Sequence, residues 1–217
     1  MELMLRAFRI RYRQFSELLY NLIVSLPYFH FIKYTDEHAN GVTFKLWFFQ
    51  KVLGFNRQVY WPVDHRSKIN QWRKIHVGID VAPGIEPGCY IQGLGEIYIG
   101  DYTLIAQNVG IISANHSLSD YRVHERKRID IGKYCWIGMN STILPGVKLG
   151  DRTIVGAGSV VTSSFEEGYC VIAGVPAKKI KDLSKEEFVI YQNKNKYHGY
   201  IRSKDFETFK QRKLWLR

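Results

Sequence analysis

Aliphatic residues return at every sixth position through the middle of the chain. Counted from Ile75, the first place of each hexad holds Ile75, Val81, Pro87, Gly93, Ile99, Ile105 and Ile111. After a break the series resumes with Ile131, Ile137, Ile143, Leu149, Val155 and Val161. Eleven of these thirteen are Ile, Leu or Val, and the residue after them is Ala or Gly eight times. The fifth places are mostly small or β-branched, as in Val109, Ser141, Val147 and Thr153. A period of six matches neither the helical repeat nor plain strand alternation. It fits a short strand, a tight corner and another short strand, with the aliphatic side chain always turned inward. Three such sides close a coil of about 18 residues, and coils stack at the strand spacing of about 4.8 Å. A body of this kind buries its core only by stacking. The pattern therefore predicts a mainly β protein, a triangular prism of a little over four coils across residues 75–180.

The break falls at residues 117–124, after which Ile129 again fits a fifth place. These eight residues read as a loop thrown out from a corner, with His116 at its foot. Loops carried by a rigid scaffold often hold the function.

Two flanks remain. In residues 1–74 the first 26 place Leu5, Phe8, Tyr12, Phe15, Leu19, Leu22 and Leu26 on one helical stripe, with Arg6, Arg9 and Arg13 off it. Three fates are open to this stripe: packing on its own prism or a neighbour, docking on a membrane surface, or a short coiled coil. The uncharged run from Leu18 to Ile32 is too short to span a bilayer and contains Pro27. No secretory cleavage pattern follows a charged start, so a cytoplasmic protein is expected, with peripheral contact at the inner membrane face as one use of residues 1–26. Residues 181–217 open with Ser184-Lys-Glu-Glu187, a capping box, and continue as a basic amphipathic tail through Leu214-Trp215-Leu216.

Charge sharpens this division. The whole chain carries +11, distributed as +7 over residues 1–74, −1 over 75–180 and +5 over 181–217. A nucleic-acid-binding protein would put its cations on the structured body; here the body is neutral, and no nucleic-acid partner is expected. Cys89, Cys135 and Cys170 stand far apart with no CxxC spacing. This argues against a disulfide framework and against a thiolate zinc site, and suits a reducing compartment.

The run from Ile99 to Lys181 resembles the hexapeptide-repeat acyltransferases, nearest to the maltose/galactoside O-acetyltransferases and the related enzymes of polysaccharide clusters. The matching segments are Ile-Gly-Asp101, Ile-Ser-Ala-Asn-His116-Ser, Ile-Gly-Lys-Tyr-Cys-Trp136-Ile-Gly138, Ile-Leu-Pro-Gly146-Val, Val-Gly-Ala-Gly-Ser159-Val-Val-Thr162 and Ala-Gly-Val-Pro176-Ala-Lys-Lys. They cover about half the chain in the family's order. The resemblance implies a left-handed parallel β-helix, although general chirality favours right-handed crossovers. It further implies a homotrimer with active sites between neighbouring prisms and acetyl-CoA as donor, with a sugar or glycan precursor as acceptor.

Acetyl transfer from a thioester to a hydroxyl needs a base for the acceptor proton, donors for the oxyanion and a held donor substrate. By resemblance His116 is the general base, and imidazole suits that task because it titrates near neutrality. Its neighbour Asn115 and the loop's His124 are assigned to the acceptor. Trp136 falls where the family sets a tryptophan beside the active site, where it would exclude water. Met139 stands where some members have a serine whose backbone N–H faces the oxyanion. Glu86 replaces the asparagine of the galactoside enzymes; its carboxylate would bind the acceptor or orient His116. For coenzyme A the matching positions are Gly156, Ala157, Gly158, Ser159 and Thr162 along the pantetheine arm, and Lys178 and Lys181 for the phosphates.

Alternatives within the fold are an antibiotic or other small-molecule acetyltransferase and a sugar N-acetyltransferase. A serine acetyltransferase would carry a large helical domain that this chain lacks. A carbonic anhydrase of this fold would need three zinc-binding histidines, and His116 and His124 lack that spacing, so no metal is expected. The non-enzyme alternative is a trimeric β-helix scaffold.

Overall fold

The computed structural model describes residues 2–214, apart from the side chains of residues 2–4, 7 and 8. Phe8 of the apolar stripe and Trp215-Leu216 of the tail therefore lie outside the described side chains. Three helices lead in: α1 (Glu2–Ser25), α2 (His30–Tyr34) and α3 (Phe44–Trp47). Short strands follow: β1 (Lys68–Asn70), β2 (Ile75–Val77), β3 (Tyr90–Gln92), β4 (Ile97–Ile99), β5 (Leu104–Ile105) and β6 (Gly110–Ile112). A hairpin of β7 (Ala114–His116) and β8 (His124–Arg126) interrupts them. Next come β9 (Ile129–Ile131), β10 (Trp136–Ile137), β11 (Thr142–Ile143), β12 (Lys148–Leu149), β13 (Ile154–Val155) and β14 (Val160–Val161). The chain closes with β15 (Cys170–Gly174), β16 (Ala177–Asp182), the pair β17 (Tyr197–His198) and β18 (Ile201–Arg202), and α4 (Ser203–Lys213).

The strands form three sheets that the chain visits in rotation. Sheet A is β1-β3-β6-β11-β14, sheet B is β2-β4-β9-β12, and sheet C is β5-β10-β13-β15 with β16 at its edge. All pairings are parallel except β15 with β16. Partners in successive turns are 18 residues apart where the hexads are regular, as in Trp136↔Ile154 and Thr142↔Val160. The protein is thus mainly β with helical flanks, and each turn is hydrogen-bonded to the next.

That register makes the core. Ile75, Ile97 and Ile129 stack in one column, Ile105, Ile137 and Val155 in another, and Ile91, Ile111, Ile143 and Val161 in a third, all buried. The small fifth-place residues are buried for a second reason. The hydroxyls of Thr103, Ser141, Thr153 and Ser159 donate to the carbonyls of Gly132, Gly138, Gly150 and Gly156 at 2.6–2.8 Å, satisfying corner carbonyls from within. Glycine at the second place is equally forced: a Cβ on Gly138 would sit 2.6 Å from the Val155 carbonyl oxygen of the next turn.

The structure differs from the hexad count in three ways. Strand pairing begins at β1, before Ile75. The first turns are long, 22 residues in Ile75↔Ile97 and 20 in Ile91↔Ile111, so Pro87 and Gly93 mark corners while Cys89 and Ile91 fill the interior. The excursion near His116 is fourteen residues rather than eight, since Leu104 pairs with Trp136 at a spacing of 32 against the regular 18. Antiparallel β7–β8 takes up that length.

The flanks pack on the first turn and along one corner. Beyond a single 3₁₀ turn at Lys185–Glu187, the tail runs back down the corner between sheets B and C. Arg152, Tyr134 and Tyr102 bind the Val189 carbonyl, the Tyr191 carbonyl and the Asn193 N–H in succession, at 3.0, 2.8 and 3.2 Å. At Asn193 the tail meets a buried clasp. Asp80 accepts from the N–H groups of Ala39 and Asn40 and from Asn193 Nδ2 at 2.8–3.1 Å, with His38 Nδ1 3.8 Å away. One carboxylate thereby joins the N-terminal flank, the first turn and the tail. The stripe of α1 does not pack on its own stack: Leu5, Tyr12, Phe15, Leu19 and Leu22 are exposed, and only Ile23 and Val24 reach the cluster of Phe29, Phe31, Ile32, Val42 and Tyr197.

The column account predicts a contrast measurable by urea unfolding. Ile111→Ala, which empties a fully buried position, lowers stability by about 2–5 kcal/mol. Leu118→Ala, at a position 93% exposed, changes it by less than about 0.5 kcal/mol.

Candidate functional site

The corner between sheets C and A carries a groove of about 640 Å3. Its floor comes from three successive turns: Leu104–Gln107, Trp136 with Gly138 and Met139, and Ile154–Ala157. Glu86 closes one end, and Ala39 and Asn40 of the N-terminal flank, fixed by the Asp80 clasp, form part of the wall. Trp136 lies in the outward row Leu104–Trp136–Ile154–Val171 of sheet C and is 54% exposed, an apolar wall open to a ligand.

Backbone polarity distinguishes this corner from its neighbour. At the corner between sheets B and C, Asp101 and Asp151 accept from the N–H groups of Ile79 and Lys133 at 2.8 and 2.7 Å. At the groove corner the equivalent N–H groups of Gln107, Met139 and Ala157 have no acceptor among the described residues. Three unpaired donors thus stand one above another, each a turn apart, on residues that line the groove. An array of fixed backbone donors is the kind of feature that holds a developing oxyanion or a chain of amides. Gln107 was not among the residues singled out in the sequence, though it occupies the same third place as Met139 and Ala157. Asn40 was also missed; nothing in the repeat points to a flank residue.

The assigned coenzyme positions divide. Gly156 and Ala157 line the groove, whereas Gly158 and Thr162 are exposed on the stack outside it. The side chain of Ser159 is fully buried, donating to Gly156 O and accepting from Gly174 N, so its hydroxyl is closed to a ligand. Lys178 and Lys181 are three apart in sequence yet share a side of β16. The register shift at Ile180 sets them opposite Ala173 and Val171, which continues the outward row of Trp136. Lys179 faces the other way and pairs with Asp182 at 2.8 Å.

His116 is elsewhere. The β7–β8 hairpin leaves the stack between β6 of sheet A and β9 of sheet B, the third corner. There His116 pairs in register with His124, ring centroids 4.5 Å apart, and Asn115 with Glu125. An open hollow is formed by Asn115, His116, Leu118, Tyr121 and Glu125. The imidazole Nδ1 makes a short contact with the Tyr121 carbonyl oxygen. A carbonyl can only accept, so Nδ1 carries a proton, which leaves Nε2 as the nitrogen able to take one from an acceptor. The orienting group for His116 is therefore this carbonyl; Glu86 lines the groove of another corner and does not serve that purpose within the chain.

No thiol stands ready as a nucleophile. Burial pushes the Cys89, Cys135 and Cys170 thiols above the ordinary range, Cys135 to about 12. Among the described residues no group of three or more His, Cys, Asp or Glu side chains gathers as for a metal ion.

Residues 128–163 match the family model described as bacterial transferase hexapeptide (six repeats). The chain is similar to the hexapeptide-repeat acyltransferases. It is 39% identical over 110 residues to WbbJ of Escherichia coli K12, an inferred lipopolysaccharide biosynthesis O-acetyl transferase, covering 45% of this chain and 56% of that protein. It is 36% identical over 96 residues to the galactoside O-acetyltransferase of the same strain, covering 41% and 45%. The chain thus spans about half the length of the curated relatives it matches. Among solved structures, a maltose O-acetyltransferase from Clostridium difficile 630 superposes with a TM-score of 0.53 at 23% identity, covering 73% of this chain and 89% of that one, a likeness of fold.

The buried thiols give a direct check. A chromogenic disulfide reagent finds no fast-reacting thiol in the folded protein and three in urea; a thiol that reacts at once in the folded state would contradict the placement of all three.

Proposed function

We propose that the protein is an acetyl-CoA-dependent O-acetyltransferase acting on a hydroxyl of a sugar or polysaccharide precursor. It would work as a homotrimer of left-handed parallel β-helices, with each active site between two copies. The observation that carries this reading is the division of the site. The base-bearing hairpin and the donor-lined groove occupy different corners of one chain, so each completes the other only across an interface. Leu118 and Tyr121 at the hairpin tip are exposed apolar residues of the kind a neighbouring copy covers. The similarity to relatives named as galactoside and lipopolysaccharide O-acetyltransferases supplies the reaction class.

In this mechanism acetyl-CoA lies in the groove, its amide chain along the N–H group of Ala157 and its phosphates toward Lys178 and Lys181. Trp136 walls the thioester from water. His116 Nε2 of the adjacent copy takes the proton as the acceptor oxygen attacks the thioester carbon. The oxyanion is held by the Met139 N–H. Collapse breaks the carbon–sulfur bond, the imidazolium returns the proton to sulfur, and coenzyme A leaves with the acetyl ester formed. The Tyr121 carbonyl stabilises the imidazolium in between. Glu86, Asn40, Asn115 and His124 remain to bind acceptor hydroxyls, and the carboxylate at Glu86 favours an acceptor different from galactosides.

We read the exposed stripe of α1 as a peripheral contact at the inner face of the membrane. No helix among the described residues is long and apolar enough to cross one. Arginines 9 and 13 flank the stripe, the arrangement that suits an anionic surface.

His116→Ala is expected to lower the rate of thiol release from acetyl-CoA with a sugar acceptor by about 10²–10⁴. Stabilisation against heat by coenzyme A should persist, because the groove is untouched. Turnover within a few-fold of the parent would refute the base assignment.

A further inference from the structure

A second groove, of about 580 Å3, opens at the first-turn end of the stack and shares no lining residue with the first. Its walls are aromatic and drawn from three parts of the chain: Phe31 and Trp47 from the N-terminal flank, Tyr60 and Trp72 from the entry to the stack, Tyr200 and Phe209 from the tail. Its volume falls within the range of about 300–1,000 Å3 typical of small-molecule sites.

Its polar character is one-sided. Lys51, Arg73 and Lys213 line it, and no Asp or Glu does. None of these three cations pairs with a carboxylate among the described residues. Lys51 Nζ is tethered to the carbonyls of Arg57 and Val59 at 2.9 and 2.8 Å and sits 4.7 Å from the centre of the Tyr200 ring. Burial lowers its pKa to about 8, as befits a cation held without a counter-ion. The Arg73 guanidinium lies over Trp72 at 4.9 Å, a cation at the edge of an apolar wall.

The groove also continues another surface. Tyr28, 63% exposed, lines it and stands two residues beyond Leu26, the last residue of the apolar stripe and itself exposed just past the end of α1. The stripe and the groove are thus separated by a single residue of chain, Pro27.

From the aromatic walls, the uncompensated cations and this continuity, we propose that the groove binds a single-chain amphiphile bearing a phosphate head, drawn from a lipid surface. The chain lies among Trp47, Tyr60, Trp72 and Phe209, and the head is held by Arg73, Lys213 and Lys51. The site stands independently of the acetyl-transfer reading.

The probe is dodecyl phosphate below its micelle concentration, followed by tryptophan fluorescence and by thermal shift of the full chain. Saturable binding of one equivalent is expected. The surface double variant Arg73→Gln/Lys213→Gln should weaken it by about tenfold or more. Dodecanol should bind at least about tenfold more weakly, for want of the charge, and inorganic phosphate should leave the fluorescence unchanged. Ala157→Trp, which fills the first groove, should bind the amphiphile as the parent does. The proposal is overturned by absence of saturation, by equal binding of dodecanol or of the double variant, by a full response to phosphate alone, or by loss of binding in Ala157→Trp.

Discussion

Each turn of this chain exists because the next turn accepts its backbone hydrogen bonds and its aliphatic side chains. A strand of two or three residues has no stability of its own. Locked at a spacing of 18 residues to the turns above and below, it contributes one isoleucine to a column and one row of bonds to a sheet. The close approach that permits this also dictates glycine at Gly100, Gly132, Gly138 and Gly150, where a Cβ would strike the backbone of the next turn, and favours a hydroxyl or small residue at the fifth place. The register is therefore the constraint from which the rest follows: it decides which residues share a corner.

The three corners have been put to different uses. Between sheets B and C, aspartates occupy the free N–H groups and the tail is strapped down by Tyr102, Tyr134 and Arg152. Between C and A the equivalent N–H groups are left open behind an exposed tryptophan. Between A and B the coil is interrupted, and the hairpin carries His116 outward, its tautomer set by a backbone carbonyl. The Asp80 clasp is remote from all this chemistry in sequence, yet it holds Asn40 at the groove wall and ties both flanks to the first turn.

The aliphatic columns were legible in the sequence because the period of six is imposed by stacking itself. The hairpin length was not, for a reason of phase. Insertions of eight and of fourteen residues differ by one hexad, so Ile129 fits a fifth place under either. Ser159 shows the opposite case: it occupies a fifth place, which the repeat turns inward, and its assignment to a ligand came from position in the family pattern rather than from the period. Gln107 shares the third place with Met139 and Ala157 and was readable on that ground. Asn40 and the second groove were not readable, since both depend on how non-repetitive flanks fold back on the first turn. The bulge in β16 that brings Lys178 and Lys181 to one side is likewise a tertiary feature.

The central claim is that the hairpin of one copy serves the groove of another. The measurement that tests it most directly is activity of mixed assemblies formed from two inactive variants, His116→Ala and Ala157→Trp. If sites form between copies, random co-assembly pairs an intact hairpin with an intact groove at about a quarter of interfaces, and the mixture regains that share of parental activity. A mixture no more active than its two components would contradict the account.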